Sequence, residues 1–265
     1  MNEFAGKVAL VTGGNSGIGR AAAIAFAKRG ANVVVAARRI EQGEQTVSEI
    51  KADGGEAFFV RADVSKSGDV ESLVACAVDR YGQLNFAFNN AASEPGPPCF
   101  TADVAEDEFS RVMDVNLKGI WLCLKYEIQQ MLRQDPPGGA IVNTSSVNGL
   151  GGVAGGAIYA ASKAGVIALT KSAAQEYATR GIRVNALAAG AFRTPMLESV
   201  LDARAGGDPE TRQTLEDRFK QMIPQGRIAD PSEAAEAAVW LCSDGASYVT
   251  GHSMIVDGGL TAYAR

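Results

Sequence analysis

Histidine is almost missing from this 265-residue chain; His252 is the only one. A Ser-His-Asp arrangement is therefore excluded unless His252 itself serves, and its position just before the last apolar run reads as structural. Cysteine is scarce and scattered. Cys76, Cys99, Cys123 and Cys242 form no CxxC pair, so neither a metal site nor a disulfide framework is expected, and reduced thiols point to a cytoplasmic protein. No apolar run reaches the roughly 18 residues of a membrane span. The first residues, Met1 to Lys7, lack the basic-then-apolar order of a signal peptide. No block of like charge is long enough to be an interaction tail. Basic residues are in deficit, with 25 Lys and Arg against 30 Asp and Glu for a net charge of −5, which disfavours nucleic acid as a partner.

Glycine is what the chain has in excess, at 30 residues. Those glycines have no period of three, which excludes collagen. An apolar content of 46% at small net charge excludes disorder.

Short apolar runs alternate with helical stretches. The strands are expected at 7–12, 33–36, 56–61, 84–89, 140–144 and 182–188, with one more after His252. Helices are expected near 18–29, 41–53, 67–81, 106–133 and 157–180. Fully apolar strands separated by helices indicate a parallel sheet covered on both faces. Seven strands without a composition break fit one α/β domain over 1–265, a Rossmann-type doubly wound parallel sheet flanked by helices. Two segments break the rhythm, a loop at 93–104 with Pro95, Gly96, Pro97 and Pro98, and an excursion at 191–224. Both follow strands, so both belong at the carboxyl edge of the sheet, where a long insertion reads as a substrate lid.

Thr12-Gly13-Gly14-Asn15-Ser16-Gly17-Ile18-Gly19 joins the first strand to the first helix. Gly13 allows the sharp turn, Gly17 lets backbone approach a pyrophosphate, and Gly19 permits close helix packing. The helix N-terminus offers N–H groups to phosphate. An NAD site wants a carboxylate at the end of the second strand. Here Ala37 stands there, followed by Arg38 and Arg39, which favour the 2′-phosphate of NADP(H) while leaving NAD(H) possible. Of the two, Arg39 is the expected bystander. Asp63, after the third strand, is placed to accept from an adenine amino group, with Ser65 the better helix cap.

Tyr159 and Lys163 stand at i and i+4 and share a helix face. An ammonium near a phenol stabilises phenolate and lowers its ionisation towards working pH. The fifth strand ends in Asn143-Thr144-Ser145-Ser146 and brings a hydroxyl near that phenol. Asn116 is polar within an apolar helical stretch, where it needs a partner.

These motifs, with Asp63-Val64, Asn89-Asn90-Ala91 and Val256-Asp257-Gly258-Gly259 in the same order, make the chain resemble the short-chain dehydrogenase/reductase family over essentially its whole length. The resemblance implies hydride transfer between NAD(P)(H) and a carbonyl or alcohol. It implies Tyr159 as general acid/base, Lys163 on the nicotinamide ribose, Ser146 rather than Ser145 on the substrate oxygen, and Asn116 bending its helix and holding a relay water. It adds Asn15, Ser16, Ile18, Val64, Asn90, Ala91, Gly190, Phe192 and Thr194 to the cofactor set, Thr194 being favoured for the carboxamide. It also implies a homotetramer built on the long helices and the C-terminal segment. Two departures stand out. Ala92 replaces a usual glycine and tightens its turn, and Ala189 replaces a usual proline, which loosens the start of the lid.

Candidate substrate contacts are Ser146, Asn148, Leu150, Val153, Ile158 and Tyr159 around the tetrad, Glu94 and Cys99 from the first loop, and Met196, Leu197 and Val200 from the lid. This mainly apolar set suits a cyclic or small lipophilic ketone or secondary alcohol. The alternatives are a 3-oxoacyl-[acyl-carrier-protein] reductase, which would want a basic rim that 134–139 does not offer, a sugar dehydrogenase, and a non-catalytic cofactor sensor. Five glycines between 149 and 156 predict a mobile pocket wall.

Overall fold

The computed structural model describes residues 2–94, 96 and 98–262; Pro95 and Pro97 of the expected loop lie outside them. Seven strands form one parallel sheet: β1 (Val8–Thr12), β2 (Asn32–Ala37), β3 (Glu56–Arg61), β4 (Phe86–Asn89), β5 (Gly139–Ser146), β6 (Ile182–Ala189) and β7 (Ser253–Val256), in the order β3-β2-β1-β4-β5-β6-β7. β1 is buried along its whole length, and so is β4. Strands of this kind need cover on both faces.

Three helices cover each face. On one lie α1 (Gly17–Lys28), α2 (Ile40–Ala52) and α9 (Pro231–Cys242), contributing Ala22, Phe26, Val47, Ile50 and Val239 to a common core. On the other lie α3 (Ser67–Tyr81), α5 (Gly119–Arg133) and α6 (Ala157–Tyr177), contributing Leu73, Ile120, Met131 and Val166. α9 is anchored at its C-terminus by Arg183, whose guanidinium donates to the carbonyls of Leu241, Cys242 and Ser243 at 2.7–3.1 Å.

The chain winds outward from β1 to β3, then returns to set β4 on the other side of β1. The connections after β1 and β4 therefore leave in opposite directions and open a crevice at the carboxyl edge. Register aligns Thr12 with Asn89, Asn89 with Asn143, and Ser146 with Ala189. The glycine turn, the loop after β4, the serine pair and the start of the excursion thus share one edge.

Four expected boundaries change. The helix at 106–133 is α4 (Glu106–Met113), a π turn over Asp114–Lys118, and α5. The helix at 157–180 ends at Tyr177 in a 3₁₀ turn, closed by Gly181 in the left-handed region. β5 begins at Gly139 rather than 140 and ends on Ser146, the end expected from Asn143-Thr144-Ser145-Ser146. The excursion is two helices, α7 (Pro195–Ala205) and α8 (Pro209–Met222), begun by prolines that suit a first helical turn. Among the described residues no helix is long and apolar enough to cross a membrane.

Candidate active site

The glycine turn is built by close approach. A Cβ on Gly19 would lie 2.2 Å from the Gly13 carbonyl oxygen, and one on Gly13 would lie 2.9 Å from the Ala91 Cα. Gly13 (φ 66°) and Gly17 (φ 52°) also need left-handed backbone. Thr12 Oγ1 accepts from the N–H groups of Asn90 (3.1 Å) and Ala91 (3.2 Å), which ties the turn to the end of β4. Ser16 precedes α1 without capping it, and no carboxylate occupies the first helical turn. The N–H groups and positive end of α1 are thus left for an anion, and these residues fit the pyrophosphate of a dinucleotide.

The two arginines after β2 separate, and Arg39, the weaker of the two candidates for the 2′-phosphate, is engaged by the glycine turn. With the Asn15 amide oriented to accept, its oxygen takes Arg39 Nε–H at 3.0 Å and Nη2–H at 2.9 Å. Arg39 Nη2 also donates to Ser16 Oγ at 3.3 Å. Arg39 therefore braces the turn. Arg38 is exposed and acts on Asp63 through its charge.

Asp63 is occupied locally. Its Oδ1 accepts from the Ser65 N–H and Oγ–H at 3.1 and 2.7 Å. Burial opposes ionisation of this carboxyl, but the Ser65 bonds and nearby cations prevail and lower it. Neither Asp63 nor Ser65 caps α3; Lys66 stands at that position. Val64 and Phe192 are core side chains. Val64 packs with Val70, Leu122 and Cys123, and Phe192 joins the α1–α9 core while its backbone bridges to Ala229. Thr194 caps α7 through the Leu197 N–H, and its side chain covers Gly17, where a Cβ would meet Thr194 Cγ2 at 3.1 Å.

Of the four residues expected to do chemistry, Ser146, Tyr159 and Lys163 meet at the end of β5. The Ser146 hydroxyl stands beside the Tyr159 phenol and favours its ionised form, and it accepts from the Asn148 N–H at 3.2 Å. Ser145 is committed elsewhere, donating to the Lys163 carbonyl at 2.8 Å. Lys163 is 1% exposed, donates from Nζ to the Thr144 carbonyl at 2.9 Å, and lies 5.7 Å from the Tyr159 ring centroid. The phenol does not behave as the Tyr-Lys spacing predicts. Burial pushes Tyr159 up to about 12, with Ser146 pulling back, and burial lowers Lys163 to about 8. Desolvation, which disfavours the charged form of each, is the largest cause of both shifts.

Asn116 occupies the π turn, in which the Gly119 N–H reaches back to the Asp114 carbonyl. Its side chain is spent on the loop after β4: Oδ1 accepts from the Ser93 N–H at 2.7 Å and Nδ2 donates to the Ser93 carbonyl at 3.2 Å. Arg111 clasps the same loop through Ser93 Oγ and the Glu94 carbonyl. Sequence reading missed this double grip; only the isolated polarity of Asn116 pointed to it.

The segment after β6 is tied down despite Ala189. Gly190 donates to the Val256 carbonyl at 2.9 Å and packs so tightly on Asp257 that a Cβ would lie 2.7 Å from its Cα. Arg193 N–H donates to the Ala229 carbonyl, and the Ala229 N–H to that of Ala191. Glu94 reaches across to the Ser199 hydroxyl on α7 at 3.0 Å, with Met196 partly exposed on the same helix. Of the wall glycines, Gly149 packs on the Lys163 backbone and Gly155 accepts from the Cys99 N–H at 3.2 Å, while Gly151 and Gly152 face open space. The wall is thus pinned at both ends and unconstrained between them. Among the described residues, no group of three or more His, Cys, Asp or Glu side chains is placed to hold a metal.

Residues 13–261 match a family model described as enoyl-(acyl carrier protein) reductase. The chain is 44% identical to 2,5-dichloro-2,5-cyclohexadiene-1,4-diol dehydrogenase of Sphingobium indicum, over 99% of this chain and all of that one. Levodione reductase superposes with a TM-score of 0.93 at 36% identity, over 98% of this chain and all of that one. A single-site variant of actinorhodin polyketide ketoreductase, solved with NADPH, gives 0.91 at 37% identity, over 97% and 98%.

The helices α7 and α8 are joined by an ion cluster in which Glu216 takes Arg193 at 2.8 Å and Lys220 at 2.9 Å, while Arg212 pairs with Glu198 and Asp202. Arg193 first, then Lys220, hold the Glu216 carboxyl down at about 2. A depressed acid stabilises the fold above its unfolded value, about 4.3, and loses that effect as pH falls towards its folded value. Hydrogen exchange over 195–222, corrected for intrinsic rates, is expected to quicken as pH falls from about 4.3 to 2. In Glu216→Gln it is expected to be fast already at neutral pH. Exchange indifferent to both changes would contradict the assignment.

Proposed function

The chain belongs to the short-chain dehydrogenase/reductase family, and we propose that it interconverts a cyclic or small lipophilic ketone and its secondary alcohol with NADP(H), through Asn116, Ser146, Tyr159 and Lys163. The observation that carries this reading is the meeting of the Ser146 hydroxyl, the Tyr159 phenol and the buried Lys163 ammonium at the carboxyl edge of β5. The apolar character of Leu150, Val153, Ile158, Met196 and Leu197 supports the substrate class, with Asn148 beside Ser146. So do the cyclic diol and dione that give two similar proteins their names. The exposed Glu94 at the cleft mouth disfavours an acidic acyl carrier.

The glycine turn and the N-terminus of α1 would hold the pyrophosphate, with Asn90 and Lys163 on the nicotinamide ribose and Gly190 to Thr194 beside the carboxamide. When bound, the cofactor supplies or accepts the hydride. In reduction, Ser146 donates a hydrogen bond to the substrate oxygen and Tyr159 Oη passes its proton there. In the reverse direction the phenolate oxygen of Tyr159 takes the alcohol proton. A phenol held up at about 12 keeps its proton at neutral pH, which suits the acid role. The Lys163 cation offsets charge when the phenolate forms. Asn116 acts through the loop it grips and through the bend it occupies.

Arg38 is assigned to the 2′-phosphate and Arg39 to bracing the turn. A homotetramer is supported by Phe109 and Trp121 on the α4–α5 face and by Trp240 and Ile255 near β7, all large apolar side chains left exposed.

Tyr159→Phe is expected to lower kcat by about 10³-fold with NADPH binding, read by fluorescence titration, nearly unchanged. Retained turnover would sink the mechanism. Arg38→Ala should raise the Kd for NADPH about tenfold and leave NADH alone, whereas Arg39→Ala should weaken both. Equal losses of the two cofactors in Arg38→Ala would remove the 2′-phosphate assignment.

A further inference from the structure

Beneath this site lies a polar cluster that the proposed chemistry does not use. Glu127, on α5, has no exposed surface. Its Oε2 accepts from Asn89 Nδ2 at 2.9 Å. The same amide reaches Asn143 Oδ1 at 3.0 Å, and Asn143 Nδ2 donates to Thr170 Oγ1 at 3.0 Å. All three partners are themselves fully buried. Two acceptors in the cluster, Glu127 Oε1 and Asn89 Oδ1, meet no donor among the described residues. The facing groups are Asn89 on β4, Asn143 on β5 and Thr170 on α6, none of them titratable. Among the described residues no cation on these elements or on α3 acts on Glu127. Its titratable neighbour is Cys123, one turn earlier on α5, a thiol that burial and Glu127 together keep protonated.

We propose that Glu127 is a positioning residue that, through Asn89 and Asn143, fixes the carboxyl ends of β4 and β5 and so sets Asn90 and Thr144 against Gly13 and Lys163. The link is direct in the chain. Asn89 is followed by Asn90, whose amide reaches the Gly13 carbonyl, and Asn143 by Thr144, whose carbonyl holds Lys163 Nζ. The inference rests on the reading that these neighbours line the cofactor.

Glu127 does this as a neutral acid. A lone carboxylate in the core has no compensating charge, and burial raises this one to about 7. An O–H on Oε1 turns one of the two undonated acceptors into a donor. Since the folded value stands above the unfolded value of about 4.3, the stability Glu127 contributes is full below that pH and is lost as pH rises through about 7. This window lies above the one in which Glu216 acts.

The test uses the full chain and two variants. Glu127→Gln keeps an acceptor for Asn89 and replaces the acid O–H with an amide N–H. Its Tm is expected to stay level over about pH 5 to 8 while that of the parent falls. Glu127→Met fills the volume but offers no acceptor. It is expected to raise the Kd for NADPH and to lower kcat, each about tenfold, while the Gln variant keeps both near the parent values at pH 6. Parallel Tm curves for parent and Gln, or a Met variant with parental Kd and kcat, would overturn the proposal. If the Met variant does not fold, the parent–Gln Tm comparison decides. Stability and NADPH binding are read without turnover. A parent that bound no NADPH would overturn the functional reading instead, and leave the Tm comparison to decide this one.

Discussion

A lysine ammonium buried in a protein interior constrains everything around it. Lys163 is almost fully enclosed and has one hydrogen-bond acceptor, the Thr144 carbonyl. A charge taken from water in this way costs several kcal/mol unless its surroundings are held in place. They are held from three sides. Ser145 bonds the Lys163 carbonyl, Gly149 packs on its backbone, and Thr144 Oγ1 reaches Asn90 at 3.5 Å. Each contact uses a residue within three positions of Ser146, or the strand end beside it. The groups that enclose the cation thus also place the hydroxyl and the phenol.

The sheet order supplies the other half of the arrangement. Because β4 returns to the far side of β1, the turn after β1 meets the loop after β4, and Thr12 bonds both Asn90 and Ala91. Glycine is obligatory at positions 13 and 19 because backbone atoms fill the space a side chain would take. The loop after β4 is then gripped from the opposite side by Asn116 and Arg111. The glycine turn, the loop after β4 and the end of β5 form one continuous set of contacts, with Glu127 and its amide partners underneath.

Much of this was legible in the residues. Fully apolar strands announced a doubly covered parallel sheet, and the spacing of Ser146, Tyr159 and Lys163 announced that the three meet at one sheet edge. What stayed hidden depended on tertiary contact. A π turn shifts the helix by one residue, and the apolar pattern of 106–133 runs through it without a break. Arg39 looked the weaker candidate because nothing in its neighbourhood along the chain shows that α2 starts beside Asn15 and Ser16. The ionisation of Tyr159 was read in the wrong direction because spacing reports which charge is near, whereas burial decides how much that charge counts. The segment after β6 looked loose because its tethers to Val256 and Ala229 join segments distant in sequence. Val64 and Phe192 carry family motif positions, yet their side chains serve the core.

The central claim is that Ser146, Tyr159 and Lys163 hold a carbonyl where it receives a hydride from NADPH. The most direct measurement is isotopic. The protein is incubated with NADPH deuterated at nicotinamide C4 and a cyclic ketone, and the alcohol is analysed by mass spectrometry. The account predicts an alcohol carrying a single deuterium on its carbinol carbon, from one face of the nicotinamide only, and none from the Tyr159→Phe variant. An alcohol without deuterium, or equal label from the variant, would contradict it.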